Sequence, residues 1–307
     1  MRYSTPRERI PLNYQKLVTS IDQIIKKGVI FLADKGLEAA RLDVEVLLSA
    51  LLGVDRGYLF SHGDEVLDVQ TCELLFNDLT RVKEGVPVAY IIGKKEFYGL
   101  DFFVDERVLI PRPETEQIVD RVLSYVKEHR GGDRRFKLLD VGTGSGNIAV
   151  SLAKSIDPED LEVVEAVDLS EEALEVARIN AEANGVESMM HLFQSDLLEF
   201  VEEGERYDVI AANLPYIGEK KHHYVSSETE KYEPNMALFG GDDGLDLYRK
   251  MFEQLKEKRV GFELMIGEFG FAQTEDMEKI LNRFFPEKFV ILKDLAGIHR
   301  IFLVSML

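Results

Sequence analysis

The sequence predicts a doubly wound α/β fold: a mostly parallel sheet of seven strands, preceded by a small helical domain and a linking β-hairpin. Three observations predict it. Residues 14–85 carry apolar side chains at helical spacing, and no strand pattern interrupts them. From Phe136 onward, short apolar runs alternate with amphipathic ones, strand then helix. Between the first such strand and its helix lies a glycine-rich turn, the usual site of ligand contact in open α/β sheets.

In the amino-terminal part, Leu17, Ile21, Ile24, Ile25 and Val29 share one helical face and the run closes at Gly36. Leu42, Val46, Leu47 and Ala50 repeat the pattern up to Gly53. A further helix sets Cys72 among Leu75, Phe76, Leu79 and Val82, so the thiol reads as buried core, and it ends near Gly85 and Pro87. These faces account for themselves as core. Residues 1–90 are therefore expected to form a helical domain, given a docking role by elimination. Residues 91–112 change character: aromatic and β-branched residues flank Tyr98-Gly99, which predicts a β-hairpin linker.

In IPRPETE (110–116), Pro113 suits a first helical position and Glu114 and Glu116 favour the positive end of a helix running to about His129. RGGDRR (130–135) reads as a flexible basic connector. Within the sheet domain, 113–307, the first strand ends at Asp140 and its helix starts near Asn147. The second repeats this with Ser170 as N-cap, Glu171 and Glu172 in the first turn and Gly185 past the end. A third strand near 191–193 precedes Ser195-Asp196. The fourth, DVIAA, stops at Asn213, because Pro215 cannot donate to a ladder. A charged loop spans 217–243; helix, strand, helix and two final strands complete the pattern.

Composition narrows the function classes. The 307 residues are 45% hydrophobic and 30% charged, ordinary globular values, and no apolar run matches a bilayer span. MRYSTPRERIPLNYQ has no apolar core or cleavage site, so a cytoplasmic location is the default expectation. Cys72 is the only cysteine, which excludes an internal disulfide, and the six histidines show no metal-ligand spacing, so no metal is expected. A net charge of −19 opposes long phosphate backbones and argues against a nucleic-acid partner.

Three strand ends carry chemistry. Asp140-Val141-Gly142-Thr143-Gly144-Ser145-Gly146 places glycines at alternate positions, where the backbone can approach a ligand closely. The dinucleotide fingerprint requires its third glycine at 147, which is asparagine here, so the spacing leans away from NAD. Asp168 ends the next strand at a distance suited to accepting hydrogen bonds from both ribose hydroxyls. Asp196, with the backbone of Leu197, is a candidate border for an adenine, although Ser-Asp is equally a helix start. Together they describe an S-adenosylmethionine site.

Asn213, Leu214, Pro215 and Tyr216 then acquire a role. A planar nitrogen is a poor nucleophile because its lone pair is delocalised. Two acceptors, Asn213 Oδ1 and the Leu214 carbonyl, would orient and polarise such a nitrogen, with Tyr216 packing against the flat target group. Asn-x-Pro-Tyr is also compatible with an ordinary asparagine-proline turn.

The chain resembles the HemK/PrmC family of release-factor glutamine N5-methyltransferases. IPRPETE (110–116), DVGTGSGNIAV (140–150), AVDLSEEALEVARINA (166–181), YEPNMALFGGDDGLDLYR (232–249) and DLAGIHRIFLV (294–304) are similar to its signature blocks. The resemblance implies a seven-stranded class I methyltransferase sheet. It also implies transfer of a methyl group from S-adenosylmethionine, leaving S-adenosylhomocysteine, to the glutamine of the Gly-Gly-Gln motif of peptide-chain release factors. It further implies that the helical domain helps recognise the release factor, and that the loop after Tyr216 lies over the target. One position departs: the family motif is Asn-Pro-Pro-Tyr, and here Leu214 replaces the first proline. Asn-Leu-Pro-Tyr is similar to the motif of ribosomal-RNA adenine N6-dimethyltransferases, so adenine N6-methylation of RNA or DNA is the alternative. A non-enzymatic adenosylmethionine-binding adaptor is the second rival.

Overall fold

A computed structural model of the chain describes residues 19–33, 40–132, 134–219 and 231–307. Leu17, Gly36, the amino-terminal stretch read for targeting, the His222-His223 pair and much of the charged loop lie outside the described residues. The chain divides into two compact units at Ile92/Gly93.

The first unit opens with β1 (Thr19–Ser20) and α1 (Ile21–Ala33), followed by α2 (Ala40–Leu52) and α3 (Arg56–Ser61). Then come β2 (Val66–Leu67), α4 (Val69–Lys83) and α5 (Val88–Ile92). Leu32, Val44, Leu47, Leu48, Leu75 and Leu79 are fully buried between the helices. Each contributes about 1.5–3 kcal/mol of transfer free energy. Asp55 and Asp68 cap α3 and α4, accepting from the backbone N–H of Tyr58 and Thr71 at 2.8 Å each. Two sequence expectations are amended. The unit is not purely helical: β1 and β2 pair antiparallel, tying the start of α1 to the 63–67 turn through Ile21 N–H and Glu65 O at 3.0 Å. Cys72 is half-buried rather than buried, because it lies at the edge of the α4 stripe.

The second unit begins with the hairpin β3 (Lys95–Phe97) and β4 (Leu100–Phe102), turned by Tyr98 (φ 53°) and Gly99 (φ 70°). Positive φ at both central residues matches the right-handed strand twist. Phe97 and Phe102 are buried in the same core as the sheet, so the hairpin is packed into this unit. Pro113 opens a 3₁₀ turn, Pro113–Thr115, that leads into α6 (Glu116–His129). Arg134 and Arg135 of the basic stretch are fixed: Arg134 pairs with Asp208 and Glu263 at 2.6 Å each, and Arg135 donates to Leu161 O.

Strands and helices then alternate as β5 (Phe136–Val141), α7 (Asn147–Ser155), β6 (Leu161–Asp168), α8 (Glu171–Ala183), β7 (Met190–Gln194) and β8 (Arg206–Ala212). The remaining elements are α9 (Asn235–Leu238), α10 (Asp246–Glu257), β9 (Gly261–Glu268), α11 (Thr274–Phe284), β10 (Phe289–Lys293) and β11 (His299–Ser305). The seven-stranded sheet has the order β10-β11-β9-β8-β5-β6-β7, with β11 antiparallel to both neighbours and the others parallel. Helices cover both faces, giving one core around Ile118, Val122, Leu138 and Val164 and another around Ile210, Tyr248, Phe252 and Phe302. Strand order reverses between β5 and β8, and at such a switch point the carboxyl ends open a crevice.

Candidate active site

Register sets the site. Val141 of β5 pairs with Ala212 of β8, and Ala212 pairs with Gly267 of β9. Gly142, Asn213 and Glu268 therefore stand side by side on the carboxyl edge. A cavity of about 540 Å³ opens there, a size typical of small-molecule clefts. Gly142, Thr143, Gly144 and Ser145 form one wall, Asp168, Asp196 and Leu197 a second, and Asn213, Leu214 and Pro215 a third. Arg112, Thr115 and the 234–239 segment complete it, whereas Asp140, Gly146 and Tyr216 stand behind the wall.

The glycine turn is shaped by its backbone. Gly142 has φ 75°, and a Cβ there would stand 2.9 Å from Leu214 Cδ2. Gly142 and Thr143 N–H both donate to Val167 O at 2.9 Å. Asp168 Oδ2 accepts from Gly144 N–H and Oδ1 from Ser170 N–H, each at 2.9 Å. Burial raises its pKa above the ordinary carboxylate value, and those N–H groups oppose the rise. Both oxygens keep a further lone pair.

Asp140 is buried. Its Oδ2 accepts from Thr143 Oγ1 at 2.7 Å, and its Oδ1 has no hydrogen-bond partner among the described residues. Burial pushes its pKa up to about 7. Asn180 clamps the turn from behind: its Nδ2 donates to Ser145 O at 2.8 Å and Phe103 O at 3.0 Å, and its Oδ1 accepts from Phe103 N–H at 2.7 Å. Leu197 adopts φ 57°, in a turn held by Gln254, which accepts from Leu198 N–H at 2.9 Å and donates to Asp196 O at 3.2 Å. The Asp196 carboxylate is paired with Lys250.

The stop after β8 is shaped by side chains. Asn213 Nδ2 donates to Thr115 Oγ1 at 3.1 Å, and Thr115 Oγ1 donates to Glu268 Oε2 at 2.7 Å. Tyr216 Oη donates to Glu268 Oε1 at 3.0 Å. Glu268 is 1% exposed. Burial raises its pKa, against the pull of the Thr115 and Tyr216 hydroxyls and of Arg300. Burial and the adjacent Glu268 charge push the Tyr216 phenol well above its ordinary value, so it remains a donor.

Leu214 is buried against Gly142. A proline there would remove the backbone N–H, and beside it the Tyr248 hydroxyl donates to Glu268 O at 2.5 Å.

The 232–249 block supports this corner. Ile217 bridges to Phe239, and Gln273 Nε2 donates to Tyr216 O at 2.7 Å. Gly244, at φ 85°, lies so close to the Tyr216 carbonyl that any Cβ would collide with it. Glu233, 4% exposed, accepts from Ile110 N–H at 3.1 Å and Arg112 Nη2 at 2.5 Å, fastening the 234–239 wall to the IPRPETE segment.

Sequence reasoning missed Thr115, Glu268, Glu233 and Asn180. Glu268 was recoverable: it is a carboxylate at the end of an apolar strand, the same position that singled out Asp140 and Asp168. For the other three, only their place within blocks hinted at a role.

Among the described residues, no group of three or more histidine, cysteine or acidic side chains is arranged to hold a metal ion. No helix among them is long and apolar enough to cross a membrane.

Comparison with known proteins matches residues 23–93 to the PrmC N-terminal domain and residues 121–229 to the methyltransferase small domain. Release factor glutamine methyltransferase of Bacillus cereus is 38% identical over 266 residues, 85% of this chain and 91% of that protein. The enzyme of the same name from Bacillus subtilis is 36% identical over 283 residues, 92% and 96% of the two chains. Among solved structures, the hMettl16 catalytic domain bound to a MAT2A 3′UTR hairpin superposes with TM-score 0.53 at 14% identity, covering 68% of this chain and 77% of that one. That likeness concerns the methyltransferase fold alone.

Proposed function

The chain belongs to the family of release factor glutamine methyltransferases, and from that premise we propose that its acceptor is the Gly-Gly-Gln glutamine of a peptide-chain release factor, bound at Asn213. It is a protein-glutamine methyltransferase that uses S-adenosylmethionine. The observation that supports the placement is Asn213, on the wall of the cavity and one strand away from the glycine turn.

The donor set fits the cofactor. The glycine turn admits a ligand that a Cβ would exclude, and Asp168 offers lone pairs suited to a ribose diol. Asp196 and Leu197 border an adenine, and the orphaned Asp140 Oδ1 suits a cationic or water donor behind Thr143. When bound, S-adenosylmethionine supplies an electrophilic methyl carbon on a sulfonium.

Asn213 Oδ1 and the Leu214 carbonyl accept the two N–H groups of the glutamine amide, holding the nitrogen in line with that carbon. As the nitrogen acquires positive charge, both acceptors stabilise it, and one proton then leaves to solvent. Pro215 ends the strand so that these acceptors face the crevice edge, and Tyr216, behind the wall, is tied to Glu268 and braces the stop.

The helical unit, residues 1–90, recognises the release factor; among its described residues Ile30, Phe60, Val66 and Val69 are exposed apolar side chains. We place the reaction in the cytoplasm, with no metal, membrane or nucleic-acid partner.

The test supplies labelled S-adenosylmethionine with a release factor and, separately, with structured RNA and with DNA. Label on the Gly-Gly-Gln peptide is expected. Label on nucleic acid alone would establish adenine methylation instead, and label on none would favour an adaptor.

A further inference from the structure

Asn213 has two chemically opposite faces, and the reaction requires one of them. An acceptor oxygen toward the cavity binds a glutamine N–H; an amide nitrogen there would repel it. Nothing in the Asn213 backbone selects between them, because the amide rotates about χ2 with little intrinsic preference. The selection comes from 153 positions beyond Thr115.

We propose that Glu268 is a positioning residue for methyl transfer, fixing through Thr115 the Asn213 amide with Nδ2 turned inward and Oδ1 left for the substrate. The proposal rests on the reading of Asn213 as a substrate acceptor.

The direction follows from counting protons. An ionised carboxylate only accepts, and a threonine hydroxyl has one proton to give. At 2.7 Å from Glu268 Oε2, that proton belongs to the carboxylate. Thr115 Oγ1 then presents lone pairs to Asn213, 3.1 Å away, and only Nδ2 satisfies them. The reverse rotamer would set two acceptors against each other in a site where Thr115 and Glu268 are each 1% exposed. Asn213 Oδ1 receives no hydrogen bond from any described residue. The second carboxylate oxygen holds Tyr216, so one anion orients two residues of the Asn-Leu-Pro-Tyr stop.

Glutamine cannot replace this anion. It has one acceptor oxygen for two hydroxyl donors, and its Nε2 would reverse either the Thr115 or the Tyr216 hydrogen bond. Protonation of Glu268 has a similar effect. The groups facing it are Arg300 on β11, which favours the anion, Glu114 beside Thr115, which opposes it, and the neutral hydroxyls of Thr115, Tyr216 and Tyr248.

The experiment measures steady-state methyl transfer to a release factor across pH, with a separate titration of S-adenosylmethionine affinity. Thr115→Val keeps the shape and removes the hydroxyl; kcat is expected to fall about tenfold, with cofactor Kd changed less than about twofold. Thr115→Ser restores the hydroxyl and most of kcat. Glu268→Gln lowers kcat by a similar factor. It also removes an acid limb that the unsubstituted enzyme shows at a pH above the ordinary glutamate value.

If Thr115→Val turns over as the unsubstituted enzyme does, or if serine fails to rescue it, the relay is wrong and the methyltransferase reading stands. An unchanged acid limb in Glu268→Gln likewise removes Glu268 from it. An unsubstituted enzyme that leaves the release factor unlabelled overturns the reading and the relay together.

Discussion

Two sides of the cavity are built on opposite principles. Around the glycine turn, backbone conformation does the shaping: Gly142, Gly144 and Gly146 all have positive φ, and Asp168 is held by main-chain N–H groups of residues 144 and 170. Around the Asn213 stop, side chains do it: Asn213 reaches Thr115 98 positions away, and Tyr216 reaches Glu268 52 positions away. A backbone-shaped wall tolerates changes of side chain but not an added Cβ. A side-chain-shaped wall tolerates neither loss nor reversal of one polar atom, because its partners are buried and have no other donor or acceptor. The first wall suits a ligand that must bind, the second one that must be aimed.

The largest expected effect tests the aimed wall. Asn213→Ala is expected to lower methyl transfer to a release factor by about 10²–10³-fold, the cost of removing one transition-state hydrogen-bond partner, while cofactor affinity stays nearly intact. Isothermal titration beside a label-transfer assay separates the two; a parallel loss of cofactor affinity would assign Asn213 to the other wall.

Gly142→Ala strikes the backbone wall. At φ 75°, with Leu214 Cδ2 2.9 Å from the added Cβ, it combines strain with a clash. Native stability is expected to fall by about 2–3 kcal/mol, read as a lower urea midpoint. A midpoint matching the unsubstituted chain would show that the turn relaxes freely.

Asp168→Ala is expected to weaken cofactor binding by about 10–100-fold, as for loss of hydrogen bonds to a charged acceptor. Unchanged affinity on titration would remove the ribose assignment.

The effect that is smallest per step of its variable belongs to Asp140, spread over several pH units. Its folded pKa, about 7, lies above its reference value of 3.8, so folding favours the neutral form. That contribution to stability is full below about pH 4 and is lost as pH rises through 7. The unfolding free energy should therefore fall across this window by at most about 1.4 kcal/mol per pH unit, read from denaturation midpoints, and Asp140→Asn should flatten the slope. An identical slope in the variant would place the titration elsewhere.

Much of the backbone wall was legible in the sequence, since strand, glycine turn and capped helix are consecutive and their signals are local. Positive φ at alternate glycines and Ser170 as N-cap follow from the residues themselves. Leu214 was legible only as a departure from a family pattern. Its consequence depends on Gly142, whose missing Cβ leaves space for the Leu214 side chain. Arg134 read as part of a flexible connector because nothing nearby in sequence reveals Asp208 or Glu263.

By itself the sequence determined the alternation of strands and helices in the sheet domain, the position of the glycine turn and the family, because periodicity, turn chemistry and motif spacing act over a few residues. Only the tertiary structure decided which way Asn213 faces. An amide is symmetric in shape but not in charge, and the carboxylate that breaks the tie belongs to another strand, brought alongside by the pairing of Ala212 with Gly267.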